Sequence, residues 1–313
     1  MGMPKWAIVI GVIAAAIVGA LLSEFVADSL VIGLTQHAPL VLAALGFALL
    51  YRLTGLLNVA FAETVTLGGY FAVWLTSTFN IGFAIAVLPA GIMAGVLSVI
   101  TYLLVFRTAK NRNVEGLELI VISFGLALFL RHALQFVFGF NTRNFPTGSL
   151  PTTYQIFGVG VSQDRLIAVA SVAILATAIY LFIRLTSFGL QIRALASNEG
   201  LAQASGVRPL TVTLLIWFVA GLAGGLAGAF YGNGSAVTSL LGARQLLLVL
   251  LVVLVGGIWD LLGVVWVGIG AGIMLAAMTL LFRSDLYAQL VLIVAFLVVL
   301  KLRGNRLTAG SKV

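Results

Sequence analysis

The residues best suited to chemistry in this chain are polar side chains set inside long apolar runs. The densest group lies between Arg52 and Tyr70. There the chain turns through Gly55 and enters an apolar run with Asn58, Glu63, Thr64 and Thr66 in its first turns. A charge in hydrocarbon is costly, so such groups pair with one another or line a solute path. Glu63 stands roughly 7–8 Å beyond Asn58 along a helix, which predicts a place near the inner membrane interface. Two readings are open for it: a pathway or gate carboxylate, or an interfacial residue paired with Arg52 or Arg107. Gln36 and His37 precede Pro39 in the outer third of another run. A proline there frees a backbone carbonyl, which is tolerated where protein or a cavity surrounds it. These two side chains either face solute or bond to a neighbouring helix. Arg131, His132 and Gln135 lie toward the outer end of a further run, where Arg131 can snorkel as an anchor.

Several other chemistries are excluded by what the sequence lacks. No G-x-x-x-x-G-K-[ST] phosphate loop is present, so the chain does not bind ATP in that manner. Neither H-E-x-x-H nor G-x-S-x-G occurs, which removes the common hydrolase arrangements. There is no cysteine, and His37 and His132 are the only histidines, so no metal site is expected. Among nine acidic residues only Glu63 is placed as a mid-pathway carboxylate, which disfavours a proton- or sodium-coupled carrier.

These groups must be positioned by membrane helices. The chain has 313 residues, 62% hydrophobic and 8% charged, against about 25% charged in soluble domains. Apolar runs fall at 6–22, 30–50, 59–78, 83–105, 117–138, 165–184, 211–231, 244–258, 261–282 and 286–300. The expectation is an all-α polytopic membrane protein of about ten spans in a single transmembrane domain, 1–313. Lys5 and the run 6–22 are followed by Ser23 to Asp28 with no small-x-small cleavage site, so 6–22 reads as an uncleaved first span. The net charge of +8 speaks for orientation rather than for nucleic acid. With both termini cytoplasmic, Lys5, Arg52, Arg107, Lys110, Arg112, Arg193, Arg208 and the tail Lys301, Arg303, Arg306 and Lys312 all lie inside.

Two connections are longer than a turn. Residues 139–163, outside by this topology, contain Pro146, Gly148 and Pro151 and predict a cap or a short re-entrant piece. Residues 185–210, inside, are amphipathic and rich in small residues. Asn198 is a candidate N-cap for a second helical turn, and Gly206 with Pro209 end the stretch. A surface helix there either touches a partner or rests on lipid headgroups. The array Gly221, Gly224, Gly225, Gly228 and Gly232 predicts one close-packing helix face.

Four of these strings carry a family resemblance. Gly55-Leu-Leu-Asn58-Val-Ala60-Phe61-Ala-Glu63 through Leu67-Gly68-Gly69-Tyr70-Phe-Ala72 resembles the Gly-x-x-Asn-Phe-Ala-His-Gly signature of permeases from branched-chain amino acid ABC importers. The string Phe188-Gly189-Leu-Gln-Ile-Arg193-Ala194 with Asn198, Ala202 and Gly206 is similar to their cytoplasmic loop. The segments Ala220–Gly228 and Gly256–Gly268 resemble two glycine motifs further on, in order and at family spacing. The resemblance implies an ABC importer permease fold in the bacterial inner membrane, working by alternating access. It also implies partners: two ATP-binding subunits that carry the ATP and Mg, a second permease, and a periplasmic substrate-binding protein. The loop would dock on an ATPase through Gly189, Arg193, Ala194, Asn198, Glu199, Ala202 and Gly206. Substrates would be branched-chain or other apolar amino acids, or related amides and carboxylates. Two departures stand out. Phe61 replaces the signature histidine and is expected to narrow the pathway formed by Gln36, His37, Asn58, Glu63 and Thr64. Asp260 replaces a small residue after the glycine pair.

Overall fold

The computed structural model describes residues 24–55, 57–112, 114, 116–146, 153–156, 158–258 and 260–307, with no side chain described at Glu24, Asp164, Ala196, Glu199 or beyond residue 302. The expected first span, 6–22, Trp259 and the tail beyond 307 lie outside the described residues. The helices are α1 (Glu24–Gln36), α2 (Ala38–Thr54), α3 (Phe61–Phe79) and α4 (Phe83–Thr101), with a π-helical turn at Tyr102–Phe106 leading into α5 (Arg107–Asn111). Then follow α6 (Leu117–Phe138), α7 (Gln163–Leu185), α8 (Ser187–Ser197), α9 (Glu199–Ala204) and α10 (Pro209–Gly234). The last three are α11 (Leu241–Gly256), α12 (Leu261–Phe282) and α13 (Asp285–Leu307).

Among the described residues, six helices are long and apolar enough to cross a membrane, and α1 with α2, bent by 48° at their junction, makes a seventh if counted as one span. The break falls at His37, where Pro39 opens α2 and has no N–H to continue the ladder. Of the other two expected spans in the described part, α3 is 19 residues long but carries Glu63 and four threonines. At 16 residues, α11 is about 24 Å long, short of the roughly 30 Å hydrocarbon layer. The connection at 139–163 contains two short strands. Thr153–Ile156 and Val159–Ser162 pair as an antiparallel hairpin, and Arg143 bridges to Val237.

Packing centres on α10. Its glycines form two faces rather than the single one expected. Gly221 and Gly225 meet Ser98 and Ala94 of α4, while Gly224 and Gly228 meet Phe61, Thr64 and Val65 of α3. A Cβ at Gly228 would stand 1.7 Å from the Val65 carbonyl oxygen, and one at Gly68 would stand 1.9 Å from the Gly225 carbonyl oxygen. Backbones approach this closely only where no side chain intervenes. Beside α10, α2 is buried all round from Pro39 to Leu50. By contrast α4 and the π-helical turn after it show an outward stripe of Ile85, Leu88, Ile92, Val96, Ile100 and Leu104, spaced to face lipid.

Gly228→Val forces α3 and α10 apart and lowers stability by about 1–3 kcal/mol or more. Gly270, with nothing within 4 Å of its added Cβ, tolerates alanine. Thermal unfolding in detergent checks both, and a Gly228→Val midpoint equal to that of Gly270→Ala would contradict the packing.

Candidate functional site

The polar residues after Gly55 converge on one feature, a buried ion pair. Glu63, in the first turn of α3 and fully buried, accepts from Arg131 Nη2 at 2.7 Å and Nε at 3.1 Å, both through Oε1. Oε2 is buried, with no hydrogen-bond partner among the described residues. The helix N-terminus adds a favourable positive end for the carboxylate. The partner is thus neither Arg52 nor Arg107, and Arg131 is not a snorkelling anchor but the counter-ion.

The pair also sets the register of α3 against α6, and the two helices run parallel. Val59 N–H donates to Ser123 Oγ at 3.2 Å, Glu63 pairs with Arg131, and the Tyr70 ring stacks on Phe138 at 4.9 Å. Parallel directions mean that the two runs cross in the same sense. Arg131 lies 14 residues into α6, about 21 Å from its start. Helical side chains lean toward the N-terminus, so its guanidinium reaches back by about a turn. Glu63 therefore sits beside the middle of α6, deeper than the inner-interface position read from the sequence.

The neighbouring candidates build the seat of this pair. Phe61 is 1% exposed. Its ring meets Phe47 edge-on at 5.6 Å and fills the space over Gly46 and Gly224. Thr64 Oγ1 donates to the Phe61 carbonyl at 2.7 Å. Asn58 is buried, its Oδ1 without a partner among the described residues, and its carbonyl accepts from Phe61 N–H. Thr66 receives Gly242 N–H at 3.0 Å, tying α11 to α3. Gln36 and His37 sit elsewhere, at the α1–α2 break. With its amide oxygen turned to α7, Gln36 accepts from Arg165 at 3.0 and 3.2 Å. His37 packs on Gly272 of α12, whose added Cβ would stand 2.9 Å from the His37 Cβ. The six pathway candidates thus form two groups, not one.

On the side of the bundle where α2, α4 and α7 end, α8 and α9 form a bent helical pair. Thr186 caps α8 by accepting from Gly189 N–H at 3.3 Å, and Asn198 Oδ1 caps α9 by accepting from Leu201 N–H at 2.9 Å. Gly206, at φ +86°, turns the chain away. Gly189 and Arg193, one turn apart, grip the same atom. A Cβ at Gly189 would stand 1.7 Å from the Ile183 carbonyl oxygen, and Arg193 Nη1 donates to that oxygen at 3.0 Å. Ala202 is buried, Ala194 half-buried, and Glu199 opens α9. Gly189 and Arg193 thus fasten α8 to the end of α7. The outward side chains are others: Leu190 is 63% exposed and Leu201 68%.

Next to α8 lies a cavity of about 390 Å³, lined by Thr54, Tyr102, Phe106, Lys110, Leu195 and Trp217. The π-helical turn creates one wall, bringing Tyr102 and Phe106 to 5.3 and 4.9 Å from the Trp217 ring. Such turns are rare and gather at functional sites.

Residues 29–300 match the protein family described as the branched-chain amino acid transport system permease component, and the chain belongs to that family. It is a multi-pass membrane permease of the ABC transporter class. Over 230 residues it is 26% identical to the "Probable branched-chain amino acid transport permease protein LivH" of Methanocaldococcus jannaschii, covering 72% of each chain. It also resembles a chain of the structure titled "PsaBC from Streptococcus pneumoniae in complex with Fab", at 15% identity and a TM-score of 0.46, over 92% of this chain and 94% of that one.

Breaking the ion pair by Arg131→Leu alone leaves a buried carboxylate unpaired and costs roughly 3–5 kcal/mol. Removing both charges, as Glu63→Leu with Arg131→Leu, restores much of that stability. A double-mutant cycle by chemical unfolding in detergent measures it, and additive losses would show that the two groups do not interact.

Proposed function

We propose that this chain is the permease of an ATP-driven importer for branched-chain or closely related apolar amino acids. It would work in the cytoplasmic membrane of a bacterium with both termini inside. The observation that carries the reading is the fastened α8–α9 pair, which presents Leu190 and Leu201 outward in a chain without a nucleotide loop of its own. Force must then come from elsewhere, from two ATP-binding subunits that hold ATP and Mg. Gly189 and Arg193 tie the pair to α7, so a push on α8 is passed into the bundle rather than absorbed by a flexible loop. A second permease completes the path, and an external binding protein delivers the solute. Its substrate class follows from the family and from the printed name of the Methanocaldococcus relative.

Within the path, Glu63 with Arg131 serves as the polar gate, seated by Asn58, Phe61 and Thr64. Phe61, in place of the signature histidine, makes that seat apolar and sets α2 against α10. The cavity beside α8 falls in the size range of small-molecule sites and forms the exit toward the moving pair. Gln36 and His37 act at the outer hinge, where α1 meets α2.

Co-expression with the neighbouring ATPase subunits and purification through a tag on this chain tests the reading. Leu190→Asp and Leu201→Asp reduce the recovered ATPase by about tenfold or more, as loss of a buried apolar anchor does, while leaving the thermal midpoint unchanged. Full recovery of the ATPase with both variants would remove α8–α9 as the docking element. A chain that transports in proteoliposomes without any ATPase would be a stand-alone carrier instead.

A further inference from the structure

The cavity of about 390 Å³ beside α8 draws its walls from α2, the π-helical turn, α6, α8 and α10. Protein interiors are close-packed, with few voids larger than a water, so room of this size where five elements meet invites an occupant. The backbone prepares one wall. Arg107 N–H reaches back to the Tyr102 carbonyl, which puts an extra residue into that turn. Tyr102 and Phe106 then both lean on Trp217, at 5.3 and 4.9 Å with tilted planes. The three rings make one aromatic surface.

The chemistry of the walls selects the occupant. Leu53, Leu119 and Leu195 stand beside the rings, which favours a flat ring able to stack on them or meet them edge-on. Charge does not select it, because Lys110 on the wall is already engaged within the chain. Thr54 is committed as well, its Oγ1 donating to the Leu50 carbonyl at 2.7 Å. Trp217 is different. Its side chain is 2% exposed, and its Nε1 is buried with no hydrogen-bond partner among the described residues. An indole N–H only donates, so the group it lacks is an acceptor such as a carbonyl oxygen.

We propose that this cavity is a binding site for a small uncharged ring compound that carries a carbonyl acceptor, bridging α8 to α10. Leu195 of α8 and Trp217 of α10 line the same space, so one occupant touches both helices. A filled cavity therefore restrains α8. What that restraint does to transport rests on the docking role proposed above, whereas the binding and the restraint do not.

The test uses the full-length chain in phosphatidylcholine nanodiscs, without ATPase subunits. Three probes separate the requirements: phenylacetamide has the ring and the carbonyl, phenethylamine the ring and an ammonium, and acetamide the carbonyl alone. With Trp6, Trp74, Trp259 and Trp266 changed to Phe, the emission reports Trp217 alone. Phenylacetamide shifts that emission saturably, and the other two probes bind about tenfold or more weakly. On binding, amide exchange slows in α8 and not in the 153–162 hairpin. Calorimetry reads the variants. Thr213→Phe, which fills the cavity from α10, weakens phenylacetamide by about tenfold or more. Trp217→Phe, which keeps a ring and loses the donor, weakens it roughly fivefold. If Thr213→Phe lowers the thermal midpoint, Tyr102→Leu takes its place by removing one ring of the wall. Leu190→Asp, on the outward side of α8, leaves binding unchanged. Equal affinity for phenethylamine, unchanged binding in the cavity variants, or unchanged exchange in α8 overturns the proposal. With no ATPase present, such a failure is separate from a failure of ATPase docking on Leu190 and Leu201.

Discussion

Everything polar in this bundle depends on how closely α10 lets its neighbours approach. In hydrocarbon there is no hydrophobic drive between helices, so contact must come from dispersion and from backbones that can touch. Two glycine faces supply that contact, Gly224 and Gly228 toward α3, and Gly221 and Gly225 toward α4. With the Val65 carbonyl seated on Gly228, α3 has little freedom to slide or rotate. Its buried polar groups are therefore fixed in depth and direction before any ion pair forms.

That constraint explains how a carboxylate survives at this depth. Only a small stripe of α6, Ser123, Ala127 and Leu134, is buried, and its apolar contact with the bundle is slight. What aligns it is polar: the Ser123 contact to Val59, the Arg131 pair, and Gln135 donating to Ser239 at 2.9 Å. A helix attached mainly by hydrogen bonds and one ion pair can shift by exchanging partners, whereas one attached by glycine faces cannot. Among the described residues, the Oε2 of Glu63 and the Oδ1 of Asn58 have no hydrogen-bond partner, which leaves two acceptors beside this contact. The close α3–α10 contact and the lightly buried α6 thus divide the bundle into a tightly packed frame and a helix held mainly by polar contacts.

Much of this was legible in the sequence. Helices occupy the apolar runs, Asn198 and Gly206 cap and end the short helical pair as their chemistry requires, and the polar cluster after Gly55 does converge. The family signatures carried the class. What was not legible follows from geometry that local pattern does not encode. Pairing Glu63 with Arg131 needs the register of two helices 68 residues apart in the chain, although a lone acid and a lone base well inside apolar runs were a signal that they meet. The glycine array held two periodic faces, and counting spacings along one line merged them. The signature residues Gly189 and Arg193 were expected to touch a partner because the loop resembles the family's docking loop. Their common target, the Ile183 carbonyl, appears only when α8 folds back on α7.

That last point changes what the loop residues mean mechanically. A docking surface that must transmit force needs outward groups to receive it and inward groups to pass it on, and one residue seldom does both. In this chain the division is clean. Leu190 and Leu201 face out, while Gly189 and Arg193 hold the helix to the final turn of α7. The stiffness of the α8–α9 pair is then set by two separate contacts on one oxygen, the close approach that Gly189 permits and the Arg193 hydrogen bond. The hydrogen bond is the adjustable one, because a guanidinium with several donors can exchange acceptors while the glycine contact is fixed by the backbone.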